Sequence, residues 1–168
     1  DRVNMALLNN AFPDMGLGGH ATGSIDFVQQ SATNMPQADV RLSISDFTRT
    51  TAVAVSQPMD VNLVAQLKND GGDVRAVMRQ RGTGIGRLQA LVKPFGGGSN
   101  WSERLMAAPL SGGFRYNGPS ETLYSFAGPA QQAVSGPIAV AADFRCVVNS
   151  PCLEGVIHGK DMVYENQA

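Results

Sequence analysis

The hydrophobic positions along this chain recur with a period of two. Val40, Leu42 and Ile44 alternate with Arg41, Ser43 and Ser45, and Val74, Ala76 and Met78 alternate with Arg75, Val77 and Arg79. The same alternation returns in Val61, Leu63, Ala65 and Leu67, in Leu88, Ala90 and Val92, and in Ile138, Val140, Ala142 and Phe144. Successive side chains of a strand point to opposite faces of its sheet, so each run predicts a half-buried strand. Turn residues separate the runs. Asn69-Asp70-Gly71-Gly72-Asp73 suits a tight hairpin, because Asp and Gly tolerate the positive φ of a sharp reversal. Gln57-Pro58, Gly97-Gly98 and Asn117-Gly118-Pro119 read as further turns. Strands joined this briefly pair with their sequence neighbours, which predicts an antiparallel meander.

Short segments break the alternation. Val3, Leu7 and Leu8 have helical spacing ahead of Phe12-Pro13, Asn100-Trp101-Ser102-Glu103 has the form of a capping box, and Pro119-Ser120-Glu121 suits a first helical turn running to Phe126 before Gly128-Pro129. These are expected to be small capping helices, with Trp101 and Leu105 covering the end of a core. A degenerate Gly-x-apolar-x-apolar repeat begins at Gly23, Gly86, Gly112 and Gly136, each read as a glycine entering a strand.

The size, 168 residues, fits a single domain spanning 1–168. Charged residues make up 16% of positions against roughly 25% in ordinary soluble domains, while 19 Gly and 9 Pro supply many turns. With a formal net charge of -1 there is no basic field to hold a phosphate backbone, which argues against nucleic acid as a partner. The longest apolar run, about Ile138 to Ala142, is far short of a membrane span, so this stretch of chain is expected to be soluble. The chain opens on Asp1 without a basic segment followed by an apolar one, and reads as a fragment of a longer β-sheet protein.

Candidate chemistry is sparse. His20 and His158 lie in no metal or triad motif, so no catalytic residue and no metal ligand is assigned, and no cofactor is implied. Gly82-Thr83-Gly84-Ile85-Gly86 lacks the Lys-Ser/Thr ending and the helix of a phosphate loop, and reads as a flexible or bulged strand connection. Asp70 and Asp73 read as a solvated hairpin tip. Cys146 and Cys152 leave a disulfide and two separate thiols equally open.

On the period-two rule one face carries Val40, Leu42, Ile44, Val61, Leu63, Val74, Met78, Leu88, Val92, Ile138, Val140 and Phe144, while Arg41, Arg75, Arg79, Asp143 and Arg145 point to water. The alternation fits a closed sandwich or barrel as well as an open sheet.

The order of short motifs resembles a known family. Leu7-Leu8-Asn9-Asn10-Ala11-Phe12-Pro13, Gly16-Leu17-Gly18-Gly19 and Ala21-Thr22-Gly23-Ser24-Ile25 open the chain. Ala108-Pro109-Leu110-Ser111-Gly112, Gly118-Pro119, Gly136-Pro137-Ile138-Ala139-Val140, Pro151-Cys152-Leu153-Glu154-Gly155 and Val163-Tyr164-Glu165-Asn166 follow. Across nearly the whole chain this order is similar to the conserved segment of the TamB family, AsmA-like subunits of the translocation and assembly module. The resemblance implies a mostly β protein, an antiparallel meander curled into an open trough with an apolar interior and short capping helices. It implies a periplasmic location, with the full-length protein anchored in the inner membrane and reaching a TamA-like partner of the Omp85 type in the outer membrane. The implied function is passage of phospholipid between the two membranes in support of outer-membrane assembly, the apolar residues above lining a groove for acyl chains. The alternative is a β-augmentation module that assists assembly of outer-membrane β-proteins; a purely structural spacer is a third reading. The family usually has Gly where this chain has Cys146, so the bend expected there is left open.

Overall fold

A sheet forms wherever alternating apolar positions line up across neighbouring strands, and here they do so across most of the chain. The computed structural model describes residues 3–6, 16–31, 34–50, 55–127 and 132–166. The strands are β1 (Val3–Asn4), β2 (Leu17–Val28), β3 (Gln37–Arg49), β4 (Met59–Lys68), β5 (Gly71–Gln80), β6 (Thr83–Val92), β7 (Leu110–Pro119), β8 (Gln132–Ser135), β9 (Pro137–Val147), β10 (Ser150–Gly159) and β11 (Val163–Asn166). Two short helices, α1 (Trp101–Met106) and α2 (Ser120–Ala127), flank β7.

A nine-stranded antiparallel sheet runs β1-β2-β3-β4-β5-β6-β7-β9-β10, and β8 pairs with β11 in a separate ribbon. β10 pairs with β9 and does not return to β1 or β2, so the sheet is an open trough and not a barrel. The meander expected from the short turns is therefore present, interrupted once where α2 and β8 lie between β7 and its neighbour β9.

Register explains the pattern of burial. One row across the sheet reads Ala21, Ile44, Val61, Met78, Gly86, Tyr116, Val140, Ile157; the next reads Gly23, Leu42, Leu63, Ala76, Leu88, Phe114, Ala142, Gly155. Directly opposed residues share a face, so the period-two alternation becomes one apolar and one polar surface. The buried core lies at one end of the apolar face, where Ala21, Ile44, Met59, Val61, Ala76, Ile85 and Tyr116 cluster, with Phe47 and Leu123 packed against them.

Bulges build that end. The β2–β3 register shifts between Gly18 and His20, and β3–β4 shifts between Ile44 and Phe47, where Asp46 takes a φ of 53°. Gly19 sits in the first shift at φ 106°, and a Cβ there would lie 2.7 Å from the Ser45 carbonyl oxygen. A third shift, between Met78 and Arg79, leaves Ile85 unpaired between Gly84 and Gly86 and buried. The Gly-rich connection at 82–86 is thus a bulged hairpin, as its sequence suggests.

Several expectations are corrected. Val3 and Asn4 are not helical but pair with Ala21 and His20 as β1, because a strand edge offers them backbone partners; Met5 and Ala6 follow in a single 3-10 turn, and the remainder of the helix expected there, with the motif Leu7–Pro13, lies outside the described residues. Asn117-Gly118-Pro119 does not turn but continues β7 in register with Ala139, Ile138 and Pro137. Gly23, Gly86 and Gly112 lie inside strands and do not open them. At Gly23 and Gly112 the φ is positive and a Cβ would collide with the carbonyl oxygens of Arg41 and Gln89, so the neighbouring backbone approaches too closely for a side chain.

Cys146 and Cys152 form a disulfide, with Cα atoms 5.4 Å apart. Cys146 also takes a φ of 72°, the left-handed conformation that a glycine would adopt more readily, so the backbone feature left open by the sequence is present. Closing so short a loop, with a sequence separation of 6, is expected to stabilise the fold by about 2 kcal/mol through the unfolded chain. Alkylation without reductant should leave the mass unchanged, and reduction should lower the unfolding free energy by about that amount; two thiols labelled before reduction would show that the bridge is not formed.

Candidate functional site

The apolar face has two different ends. At the filled end, α2 drops Leu123 onto the core, and Thr122 is buried with its Oγ1 accepting a hydrogen bond from Gln80 Nε2 at 3.3 Å. Tyr116 is buried there, stacked on Phe114 with ring centroids 6.1 Å apart, and its hydroxyl donates to the Pro119 carbonyl at 2.6 Å. Burial raises the Tyr116 pKa above its ordinary value; a hydrogen bond with Thr122 works against this and the charge of Glu121 adds to it.

At the other end a cavity of about 180 Å³ opens beneath α1, lined among others by Ala38, Val40, Leu67, Val74, Val92 and Leu105, and the surface it presents is apolar. The helix that roofs it is held by its cap. Asn100 Oδ1 accepts from the Glu103 N–H at 2.9 Å, and the Glu103 carboxylate accepts from the Ser99 N–H and hydroxyl at 2.8 Å and from Asn100 Nδ2 at 2.9 Å. Those bonds, the Ser99 N–H first among them, hold the Glu103 carboxyl below the usual carboxylate range. The capping box read from Asn100 and Glu103 is therefore present, whereas Leu105 lines the cavity and does not join the core cluster.

All of the apolar residues singled out by alternation share one face, but their surroundings differ. Ile44 and Val61 are buried in the core, and Met78, Leu88, Ile138 and Val140 pack against it. Val40, Val74 and Val92 line the cavity, and Leu42 and Leu63 stand half-buried opposite each other on β3 and β4. Phe144 is half-buried between Gly112 and Leu153. Of the water-facing residues, Arg41, Arg75, Arg79 and Arg145 are exposed and Asp143 is half-buried. Alternation missed Ile85, whose bulge breaks the period, and Tyr116 and Phe114, which lie in a Gly-rich stretch whose repeat was their single signal.

Both sheet edges leave apolar side chains uncovered. Every residue of β10 is exposed, Leu153 and Ile157 at 68% each, and on β2 Ile25 and Phe27 are 65% and 60% exposed. β1 covers β2 only at His20 and Ala21.

No protein-family model matches the chain, and neither a curated protein nor a solved structure does. Among the described residues no group of His, Cys, Asp or Glu is arranged to hold a metal ion, and no helix is long and apolar enough to cross a membrane.

The two ends respond differently to charge. Val61→Asp places an unpaired carboxylate in the core and should cost on the order of 3–5 kcal/mol, enough to unfold much of the protein. Val40→Asp, at the open cavity, should cost roughly 1 kcal/mol and leave a cooperative melt; equal losses at both positions would show that the cavity end is as closed as the core. Tyr116 sets an alkaline limit. Its raised folded pKa contributes stability fully present below about pH 10, lost as pH rises through the folded value. Tyr116→Phe should cost about 1 kcal/mol at neutral pH and flatten the alkaline limb of a stability profile measured by urea denaturation.

Proposed function

We propose that this chain is part of a periplasmic lipid-transfer trough similar to the TamB family, moving phospholipid between inner and outer membranes in support of outer-membrane assembly. The observation that carries the reading is the apolar cavity at the open end of a sheet that does not close into a barrel. An empty apolar cavity of about 150 Å³ stays dry and accepts a benzene-sized guest, so hydrocarbon is the guest that a space of this size and lining suits. It holds the end of an acyl chain and not a whole lipid. The remaining chain then lies along the half-buried row Leu42, Leu63, Leu88 and Phe114, leaving the headgroup in water. In this reading the trough belongs to a longer protein anchored in the inner membrane and meeting an Omp85-type partner.

A second reading, β-augmentation, is favoured by the edge of β10. From Ser150 to Gly159 it pairs on one side alone and carries exposed Leu153, Val156 and Ile157, the features that let a sheet edge accept another strand. The readings separate in one experiment. Protein purified without detergent is extracted and its lipids identified by mass spectrometry, with Val40→Asp as the comparison. The trough predicts phospholipid bound to the parent chain and at least about fivefold less on the folded variant, since a carboxylate in the cavity must be desolvated against the chain. Folded protein without acyl lipid, combined with saturable binding of an extended β-strand peptide, favours augmentation.

A further inference from the structure

The polar face carries an arrangement that neither reading uses. Arg87 on β6 lies directly opposite Arg115 on β7, and Arg75 on β5 lies opposite Gln89, which in turn faces Gly113 and then Asp143. Like charges directly across a strand pair are unfavourable, so the placement needs a reason. Part of it is visible: Arg115 is turned toward β9, its Nη2 2.7 Å from Asp143 Oδ1 and its Nη1 donating to the carbonyls of Ala142 at 2.7 Å and Phe114 at 3.0 Å. Gly113 makes room for this, since a Cβ there would lie 2.8 Å from Asp143 Oδ1 and 2.9 Å from Arg115 Nη1. The result is a depression of about 480 Å³ lined among others by Arg75, Arg87, Gln89, Gly113, Arg115 and Asp143.

Charge in this depression is unbalanced. Asp143 is engaged by Arg115, and Arg75 reaches Asp73 only at 3.9 Å. The Arg87 side chain has no hydrogen-bonded or ionic partner among the described residues. An arginine fork beside a second guanidinium, with the Gln89 amide as a neutral donor, is complementary to an oxyanion, which would also relieve the repulsion between Arg87 and Arg115. We propose that Arg87, with Arg75 and Arg115 around Gly113, forms a binding site for a phosphate group on the polar face of the sheet. The phosphate is carried by a free anion or by a phospholipid headgroup meeting this face. The site stands on the opposite side of the sheet from the apolar cavity and does not depend on what fills it.

The test uses the whole chain at low ionic strength. Inorganic phosphate is titrated while the arginine Nε–Hε signals are followed by NMR, and co-sedimentation is measured with phosphatidylglycerol and with phosphatidylcholine vesicles. Saturable shifts at Arg87 and Arg115 are expected, with binding weakened about tenfold in Arg87→Gln and less in Arg87→Lys, which keeps the charge but loses the fork. Arg41→Gln, on the same face but on β3, should change affinity less than about twofold. Arg87-dependent sedimentation with phosphatidylglycerol, competed by phosphate, identifies the headgroup as the source; phosphate binding without vesicle binding identifies a free anion. Absence of saturable shifts, or equal weakening by Arg41→Gln and Arg87→Gln, overturns the site. Since Arg87 is exposed, its substitution leaves the fold intact, and an unchanged melt confirms that the loss is one of binding.

Discussion

A sheet has two faces, and an apolar face is stable only when something covers it. Here one continuous antiparallel register assembles the apolar face from strand after strand, and its last strand does not close back onto its first. Everything distinctive about the molecule follows from how that cover is improvised. At one end bulges in β2, β3 and β6 change the register, bring Phe47 and Ile85 onto the core, and let α2 seal it with Leu123. At the other, Leu105 of α1 lines a cavity whose remaining walls come from β3 to β6. Between them Leu42, Leu63, Leu88 and Phe114 stand half-buried.

The same constraint acts on the edges. A closed barrel would pair β10 with β2 and remove both edges; among the described residues the open sheet leaves β10 exposed along its length and β2 without a strand partner beyond Ala21 on that side. A trough open to a guest and a sheet open to another strand are thus two consequences of one architecture. Which of them the protein exploits depends on what reaches the apolar face and what reaches the rim.

Local devices hold the shape where the pattern changes. The bulge at Asp46, the φ of 72° at Cys146 and the disulfide to Cys152 all sit at or beside strand ends. The ion pair of Arg115 with Asp143 links β7 to β9 across the place where the meander skips β8, and Gly113 allows it to lie there. The missing side chain at Gly113 is, at this point, what lets Arg115 of the same strand reach Asp143 on β9.

The order of residues alone was enough for the strands, the division into apolar and polar faces and the cap of α1. Alternation at Val40–Ile44, Val61–Leu67 and Leu88–Val92 leaves a strand one way to bury its apolar side, and Asn100 with Glu103 satisfies backbone donors within a few residues. These are local causes, readable locally. It did not determine that the face would be filled at one end and hollow at the other. That depends on the bulges at Gly19 and Asp46, each of which exists because a neighbouring strand further along the chain fixes the register against it, and on how the local bulge at Ile85 meets them. Nor could it separate a hairpin disulfide from two thiols, since pairing Cys146 with Cys152 requires the turn geometry that brings β10 back along β9. The continuation of β7 through Asn117-Gly118-Pro119 has the same origin: these residues favour a turn alone, and β9 supplies the partners that keep them extended. Tertiary structure decided what contacts between distant strands decide, because register is a property of pairs and no single stretch of sequence contains it.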